Sequence, residues 1–374
     1  MVRAATEFLV RVLSPTPLSE SHRENDMKYR LLGRTGLYVS QVSLGTMTFG
    51  GGSDFWNNIG GPNTDDPDSI VGHALDAGVN LIDTADYYSA GLSEEIVGAS
   101  LRRLARARDT ILIATKARLR MGGGVNQVGL SRVHLMNAVE GSLRRLKIDH
   151  IDLYQLHGPD PLTPLDETLR ALDDMVRQGK VRHVGVCNFP AWKLARALSV
   201  SERLRLERLE SAQMYYSLAG RDIEREVVPL LVEEQQGLLV WSPLAGGFLS
   251  GKYAAGEEGG RRRSFDFPPV SAERGERVLS ALSRVADRRE SSMARVALAW
   301  LMAKPFVTSV ILGARTNGQL ADNLGAVDLV LTGEDIGELD QASALPAEYP
   351  GWMVERQAGD RSAGSQSIAA LPVR

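Results

Sequence analysis

The sequence contains one cysteine, Cys187, and no long apolar run. A single thiol excludes an intramolecular disulfide, which fits a reducing compartment, so we expect a cytoplasmic protein. The apolar run Phe8–Val10 is broken by Arg11 and is too short for the core of a signal peptide. No other run reaches the roughly 18 apolar residues that a membrane-spanning helix needs. The sequence therefore predicts no membrane partner.

Basic residues are not in excess either, since the formal net charge is −3. Proteins that bind nucleic acid usually carry a basic face, whereas the one short basic run here, Arg261–Arg263, lies among glycines and is typical of a solvated loop. Hydrophobic residues make up 43% of the chain and charged residues 24%, which is the composition of a globular protein with a substantial core. We therefore predict a globular protein with no nucleic-acid partner.

The two ends of the chain differ in composition from the rest. Residues 1–26 show no sustained period, and we expect them to form a disordered N-terminal extension. Residues 27–37 predict a β-hairpin with a glycine-containing turn, and we expect one folded domain over 27–353. Residues 354–374 are rich in Ala, Gly, Ser and Arg and are predicted to be a disordered tail.

Short apolar runs alternate with amphipathic stretches from about residue 40 onward. Near-continuous apolar strands separated by helical periods indicate βαβ units and a parallel sheet. Eight such units over about 285 residues fit a closed (β/α)8 TIM barrel, whose typical size is about 250 residues. The predicted strands are 41–46, 80–85, 111–116, 151–156, 182–187, 211–215, 238–242 and 308–312. The predicted helices are 66–77, 93–106, 131–146, 165–178, 190–199, 222–236, 272–289, 292–303 and 317–325.

Three connecting segments are longer than a barrel requires: 117–130, 244–271 and 341–374. Each follows the carboxyl end of a strand or leads back toward that face. Long loops on that face of a barrel usually form a binding site or a lid. We therefore expect the substrate site at the C-terminal face.

Polar residues follow three consecutive predicted strands. Asp83 and Tyr88 follow the second strand, Lys116 ends the third and His157 ends the fourth. Taken singly, each has an ordinary structural explanation, such as a helix cap for Asp83. The carboxyl ends of barrel strands converge on one face, however, so the sequence predicts that the four side chains meet.

Such a set suits general acid catalysis at a carbonyl group. Free tyrosine has a pKa near 10, and a neighbouring ammonium group favours the phenolate. We predict Tyr88 as the proton donor, Lys116 as the group that lowers its pKa, Asp83 as the partner of Lys116, and His157 as the group that orients the substrate carbonyl. None of these residues carries a hydride, so a nicotinamide cofactor must supply it.

The residues at the strand ends argue against two other kinds of barrel enzyme. Only one carboxylate and one histidine are found there, too few for the converging ligands of a metal site, so no metal is predicted. A glycosidase needs a pair of carboxylates, and Asp83 stands alone.

The motifs resemble those of the aldo-keto reductase superfamily, and in particular its bacterial-type members, over residues 27–353. The matching segments are 78–85 with Tyr88, Thr115-Lys116, Asp152–His157, Gly185–Phe189, Gln213, Trp241–Leu244 and Gly313–Thr316. The resemblance implies a (β/α)8 barrel that binds NADP(H) without a Rossmann domain. It also implies reversible reduction of a small aldehyde, ketone or sugar to the alcohol.

The resemblance also implies which residues hold the cofactor. Asn188 and Gln213 match positions that bind the nicotinamide carboxamide, and Trp241 matches the aromatic residue that stacks on the ring. Four positions match the loop along the pyrophosphate, namely Ser242, Leu244, Gly246 and Lys252. Four more match the segment around the adenosine phosphate, namely Gly313, Arg315, Gln319 and Asn323. Because a guanidinium binds a phosphate through two hydrogen bonds, Arg315 favours NADPH over NADH.

The chain departs from the family pattern at one cofactor position. Cys187 stands where the family usually has serine, and a thiol is a weaker donor than a hydroxyl. We expect Cys187 to be a buried, inert thiol.

Two alternatives to a reductase remain open from the sequence. One is a nicotinamide-binding regulatory subunit of the same fold, as in the channel β-subunits. The other is a metal-dependent lyase or hydrolase, which the residues at the strand ends disfavour. The sequence leaves the substrate and the oligomeric state undetermined.

Overall fold

A computed structural model describes residues 27–60, 65–251, 262 and 266–358 of the chain. The predicted disordered extension at 1–26 lies outside the described residues, as do Lys252 and the tail from 359 onward. Within the described ranges, no helix is both long and apolar enough to cross a membrane.

Eight parallel strands close into a barrel, which confirms the predicted fold. A two-stranded antiparallel sheet precedes it, formed by β1 (Tyr29–Leu31) and β2 (Tyr38–Ser40). The barrel strands are β3 (Val42–Gly45), β4 (Leu81–Asp83), β5 (Leu112–Ala117), β6 (Ile151–Leu156), β7 (Val181–Cys187), β8 (Leu209–Tyr215), β9 (Gly237–Trp241) and β10 (Ser309–Gly313). Each strand pairs with its neighbour in sequence, and β10 pairs with β3 to close the ring.

Helices follow the strands and cover the barrel. They are α1 (Asp54–Gly60), α2 (Pro67–Asp76), α3 (Leu92–Leu104), α4 (Arg132–Leu146), α5 (Leu165–Arg177), α6 (Ala191–Leu204), α7 (Val227–Glu233), α8 (Ala272–Arg288), α9 (Met293–Met302), α10 (Asn317–Leu324), α11 (Gly333–Ala342) and α12 (Gly351–Ala358). The strands are almost fully buried because barrel side chains pack against each other on the inside and against helices on the outside. Every residue of β6 is buried, including Asp152 and Gln155.

The N-terminal hairpin packs against the barrel at the amino ends of its strands. Leu32 and Val39 of this hairpin are buried and cluster with interior residues of β4, β5, β6, β9 and β10. The turn contacts β8, where a Cβ atom on Gly33 would lie 2.3 Å from the carbonyl oxygen of Glu210, so only glycine fits. Since the hairpin contacts the amino ends, the carboxyl-end face is left for the site.

The structure corrects the predicted helix at 222–236. A short 3-10 turn covers Asp222–Glu224, and α7 begins only at Val227, because the backbone at Glu226 is not helical. Pro229 lacks an N–H group and therefore fits only the first turn of a helix. Three helices were not predicted, namely α1, α11 and α12. The last of these crosses the boundary at 353 that the sequence suggests for the folded domain.

Candidate active site

Asp83, Lys116 and Tyr88 meet at the carboxyl ends of β4 and β5. Lys116 is fully buried, and its ammonium group donates three hydrogen bonds. They run to Oδ2 of Asp83 at 2.6 Å, to the carbonyl oxygen of Thr84 at 2.7 Å and to the phenol oxygen of Tyr88 at 3.4 Å. A lysine has three N–H bonds, so this arrangement uses all of them and sets the direction of the ammonium group.

The charge of Lys116 is maintained by its partners. Burial, the largest single influence, would lower the pKa of this lysine, but Asp83 acting together with Tyr88 and Cys187 outweighs burial, and the pKa is raised. Lys116 is therefore an ammonium ion at neutral pH. It is a fixed positive charge next to the phenol of Tyr88.

Tyr88 differs from the expectation in one respect. Lys116 does act to lower the pKa of the phenol, but burial has the larger effect, so the pKa lies above that of free tyrosine. Lys116 thus acts in the predicted direction, and burial of the phenol acts against it. Tyr88 is consequently a fully protonated donor at neutral pH.

The turn that carries Tyr88 has unusual backbone geometry. Ser89 and Ala90 have left-handed φ values of 49° and 56°, a conformation that non-glycine residues seldom adopt. Such strain is concentrated at functional sites, where the surrounding structure holds it in place. Here the backbone N–H of Tyr88 donates to the carbonyl oxygen of Ala85 at 3.2 Å, which closes the turn below the phenol.

His157 lies edge-on to the ring of Tyr88, with the ring centroids 5.8 Å apart and an interplanar angle of 77°. Burial, followed by the positive charges of Lys116 and Arg118, lowers the pKa of His157 to about 3. The imidazole is therefore neutral. Its Nδ1 atom is buried and has no hydrogen-bond partner within the described residues. A neutral imidazole suits a hydrogen bond to a substrate oxygen.

Two glutamine side chains reach the other oxygen of Asp83. Nε2 of Gln213 donates to Oδ1 of Asp83 at 2.8 Å, and Nε2 of Gln155 donates to the same atom at 3.3 Å. Gln213, which the sequence assigns to the cofactor, thus also contacts the Asp83 carboxylate. Gln155 was missed, although a buried glutamine within the apolar run of β6 is a signal that could have drawn attention to it.

Cys187 is buried, as expected. Burial raises the pKa of the thiol, so it stays protonated. Its Sγ atom donates to Oε1 of Gln155 across 3.8 Å. The thiol therefore contacts the site through Gln155.

Asn188 and Trp241 lie together on the cofactor side predicted from the sequence. Asn188 is exposed and has a left-handed φ of 57°. Its Oδ1 accepts a hydrogen bond of 2.9 Å from Nε1 of Trp241, and its Nδ2 donates to the carbonyl oxygen of His157 at 3.4 Å. Trp241 also packs against Tyr215 at 5.2 Å and lies nearly parallel to Phe267 at 5.7 Å. A nicotinamide stacked on the indole of Trp241 would therefore also lie near the rings of Tyr215 and Phe267.

The loop after β9 forms a tight turn. Ser242 has a left-handed φ of 51°, and its Oγ accepts a 3.0 Å hydrogen bond from the N–H of Gly246. A Cβ atom on Gly246 would lie 2.5 Å from the carbonyl oxygen of Phe267, so the position requires glycine. Leu244 is half-buried in this turn.

The segment after β10 presents an arginine without a partner. The guanidinium of Arg315 makes no hydrogen bond or ion pair within the described residues, while its backbone N–H donates to Oε1 of Gln319 at 3.0 Å. Gly313 is exposed, and Asn323 is buried on α10. The carboxylate of Asp65 accepts a 2.7 Å hydrogen bond from the N–H of Asn317 at the start of α10. A negative charge therefore lies close to the predicted phosphate-binding arginine.

The sequence profile of the Aldo/keto reductase family matches residues 41–344. The chain belongs to this family. It is 38% identical to the uncharacterized oxidoreductase YrpG of Bacillus subtilis, over 82% of this chain and 93% of that protein. It is 36% identical to a probable voltage-gated potassium channel subunit beta of Oryza sativa subsp. japonica, over 84% and 96%. It is 33% identical to a versiconal hemiacetal acetate reductase of Aspergillus parasiticus, over 87% and 99%.

Aldo-keto reductases generally use nicotinamide cofactors, and the residues of this face fit one. The amide of Asn188 is exposed, the guanidinium of Arg315 has no partner in the described part of the chain, and the imidazole of His157 is neutral. These groups could meet an amide, a phosphate and a substrate oxygen in turn.

Aromatic residues flank the family's tyrosine position. Trp56 of α1 is buried and packs against Tyr87 at 5.4 Å and against Tyr88 at 6.1 Å. The rings of Tyr87 and Trp56 thus lie beside Tyr88. Trp352 packs against Tyr349 at 6.0 Å on α12.

A buried acidic group that the sequence did not single out lies directly before the tyrosines. Asp86 is 1% exposed, and neither carboxyl oxygen makes a hydrogen bond of good geometry within the described residues, although the backbone N–H of Tyr87 is close enough to lower its pKa in part. Burial, followed by the charge of Glu94, raises the pKa of Asp86 to about 8. Glu94 is itself satisfied by Thr115 Oγ1 at 2.6 Å and by Arg145 Nε at 2.7 Å. Asp86 is therefore mainly protonated at neutral pH.

Proposed function

We propose that the protein is an NADP(H)-dependent reductase that converts an aldehyde or ketone to an alcohol, and that the reaction is reversible. The observation that carries this proposal is the buried, charged Lys116, which joins the Asp83 carboxylate to the phenol of Tyr88. The neutral ring of His157 beside that phenol completes a set suited to a carbonyl oxygen. Family membership and oxidoreductase relatives support the same reaction class.

In this proposal Tyr88 is the general acid. As the carbonyl carbon is reduced, its oxygen gains electron density and takes the proton from the phenol. The phenolate that remains lies next to the ammonium of Lys116, which stabilises it because the site is largely shielded from water. In the reverse direction, the phenolate accepts the proton of the alcohol.

His157 would orient the substrate. Because the imidazole is neutral, it carries a single N–H, which can donate to the carbonyl oxygen. A cation at this position would instead compete with Lys116 for the anion that forms on Tyr88. The low pKa of His157 therefore suits an orienting role better than an acidic one.

The nicotinamide supplies the hydride when it is bound. Asn188 and Gln213 would hold its carboxamide, Trp241 its ring, and the turn with Ser242, Leu244 and Gly246 its pyrophosphate, together with Lys252. Gly313, Arg315, Gln319 and Asn323 would hold the adenosine phosphate. The guanidinium of Arg315, which has no partner among the described residues, supports NADPH over NADH, whereas the carboxylate of Asp65, bound to the first N–H of α10, opposes it.

We further propose a small carbonyl or sugar substrate. The half-buried ring of Tyr87, which packs edge-on against the buried ring of Trp56, offers an apolar surface at the rim of the site. Such a surface suits a planar substrate or the apolar face of a sugar.

The test is turnover by the purified protein. We expect the protein to oxidise NADPH in the presence of some members of a panel of aliphatic, aromatic and sugar aldehydes. The loss of NADPH absorbance measures this reaction. Tight NADPH binding without turnover of any carbonyl would contradict the proposal.

That same outcome would favour a second function, a nicotinamide-binding regulatory subunit. Relatives in Oryza sativa, Arabidopsis thaliana and Schizosaccharomyces pombe are named as probable or putative potassium channel β subunits, at 36%, 35% and 31% identity. This resemblance supports keeping the second function under test.

A further inference from the structure

Gln155 is a buried polar residue in the centre of the site for which the proposed reaction has no role. It is fully buried in β6, in register with Lys116 of β5 on one side and Gly185 of β7 on the other. A buried amide must find partners on both its oxygen and its nitrogen to offset the loss of water.

The two ends of this amide have different partners, and their chemistry determines its orientation. The carboxylate of Asp83 can only accept, so it faces Nε2 of Gln155 at 3.3 Å. The protonated thiol of Cys187 donates, so it faces Oε1 across 3.8 Å. Gln155 therefore connects Cys187 on the cofactor side with Asp83 on the side of the proton donor.

Asp83 is in turn the residue that directs Lys116. Its Oδ2 atom accepts from Lys116 at 2.6 Å, and its Oδ1 atom accepts from Gln155 and Gln213. Three donors thus fix the orientation of the carboxylate, and without Gln155 its Oδ1 atom would be held by Gln213 alone. The bond from Lys116 to Tyr88, at 3.4 Å, is the longest of the three that Lys116 makes, and it is the first to weaken if the carboxylate moves.

We propose that Gln155 is a positioning residue for carbonyl reduction, which orients the Asp83 carboxylate and through it the hydrogen bond from Lys116 to Tyr88. This inference rests on the proposed function. Gln155 contacts neither Tyr88 nor His157 in the structure, so its effect would pass through Asp83.

The test replaces the amide by a side chain of similar size and no hydrogen bonds, Gln155→Met. We expect kcat to fall about tenfold or more, because a hydrogen bond to a charged group is lost, while the Kd for NADPH changes by less than about twofold. The alkaline limb of the pH profile should move to higher pH, because Tyr88 loses part of the influence of the ammonium group. A role confined to packing would leave that limb in place.

A matched control removes another buried amide from the barrel. Gln236 lies at the amino end of β9, where its Nε2 donates to the carbonyl oxygen of Leu209 at 2.8 Å. Gln236→Met should lower the melting temperature to an extent comparable to Gln155→Met and leave the pH profile unchanged.

A rescue variant tests the hydrogen bonds directly. In Gln155→Glu, a protonated carboxyl group can donate to Asp83 and accept from Cys187, whereas an ionised one can only accept and would face the Asp83 carboxylate as a like charge. Asp83, Lys116 and Cys187 are the titratable groups that contact the acid or its partners; the pKa values of Lys116 and of the Cys187 thiol are both raised, so these two groups keep their charge states near neutral pH. Turnover of this variant should approach the wild-type value at low pH and fall as the new acid ionises.

A measurement without turnover separates this inference from the proposed function. The titration of Tyr88 can be followed by tyrosinate absorbance. It is the difference between the titration of a protein that has Tyr88 and that of the same protein with Tyr88→Phe, measured once in the wild-type background and once in the Gln155→Met background. We expect this titration to shift to higher pH in Gln155→Met, whether or not the wild type reduces a carbonyl. An unchanged titration and an unchanged alkaline limb would overturn the role of Gln155. Wild-type inactivity with a shifted titration would overturn only the proposed function.

Discussion

Replacing Asp86 by asparagine should stabilise the protein relative to the wild type, and this difference in stability should grow as the pH rises. The carboxyl group of Asp86 is buried, makes no hydrogen bond of good geometry in the described part of the chain and lies near Glu94. Its folded-state pKa of about 8 compares with an ordinary value of 3.8. Asparagine has nearly the same shape and cannot ionise, so the substitution removes the cost of keeping this acid protonated.

The sign follows from proton binding. Between the two pKa values the folded state keeps the proton of Asp86 and the unfolded state releases it, so stability falls as pH rises. The slope is about 1.4 kcal/mol per pH unit. From pH 5 to pH 7 this amounts to roughly 3 kcal/mol as an upper bound, or about 5 °C in melting temperature for a chain of this size. Below the ordinary pKa, Asp86 is protonated in both the folded and the unfolded protein, so it has no effect on stability. Above about pH 8 it is ionised in both, and the loss of stability stops growing.

The assay is thermal unfolding of the wild type and of Asp86→Asn at closely spaced pH values from 5 to 9, with Asp109→Asn as a control. Asp109 is exposed, so its substitution should give a difference that does not change with pH. For Asp86→Asn the difference in melting temperature should increase with pH up to about 8. A difference that is flat across this range would show that Asp86 ionises normally and that the account of its environment is wrong.

Three further substitutions test the cofactor side and the stability of the barrel. Arg315→Ala should weaken NADPH about tenfold or more and NADH little, measured by fluorescence quenching, and equal weakening of both would contradict its assignment to a phosphate. Asp65→Asn should raise the affinity for NADPH relative to NADH a few-fold by removing a negative charge, whereas an unchanged ratio would show that Asp65 is too far from the phosphate. Asp335→Ala should lower the free energy of unfolding by roughly 1 to 2 kcal/mol at neutral pH, because it removes the capping box with Thr332 and the ion pairs with the partly exposed Arg288 and Arg289. Burial would raise the pKa of Asp335, but Thr332 and the two arginines lower it overall, so this loss should shrink as the pH falls below 3.8 toward the lowered pKa.

Much of the barrel could be predicted because its strands are short apolar runs between amphipathic helices. The order of the strands then follows from the (β/α)8 closure, and it alone brings Asp83, Lys116 and His157 to one face. The pairing of Lys116 with Asp83 could be anticipated because each stands at the end of an apolar strand. Helix α1 was missed because it is short and because Gly, Asn and Ser are frequent in and around it. For this reason the sequence could not place Trp56 next to Tyr88.

The remaining features depend on distances that no local pattern contains. The pKa of Tyr88 reflects a balance between burial and the charge of Lys116, and the sequence reveals only the second. Gln213 and Gln155 lie on β8 and β6, and only the closed barrel brings both amides to one oxygen of Asp83. The lack of well-aligned partners around Asp86 is likewise a property of packing. A sequence can show that an aspartate precedes two tyrosines, but not that it is buried without a hydrogen bond of good geometry.

The most direct test of the central claim is Tyr88→Phe, compared with Tyr38→Phe. Tyr38 is 62% exposed on the N-terminal hairpin, at the opposite end of the barrel, so its substitution should change neither turnover nor binding. Tyr88→Phe should lower carbonyl reduction by about 10²- to 10⁴-fold, the usual contribution of a general acid, while the Kd for NADPH stays close to that of the wild type. Turnover by Tyr88→Phe comparable to that of Tyr38→Phe would contradict the claim that Tyr88 is the proton donor.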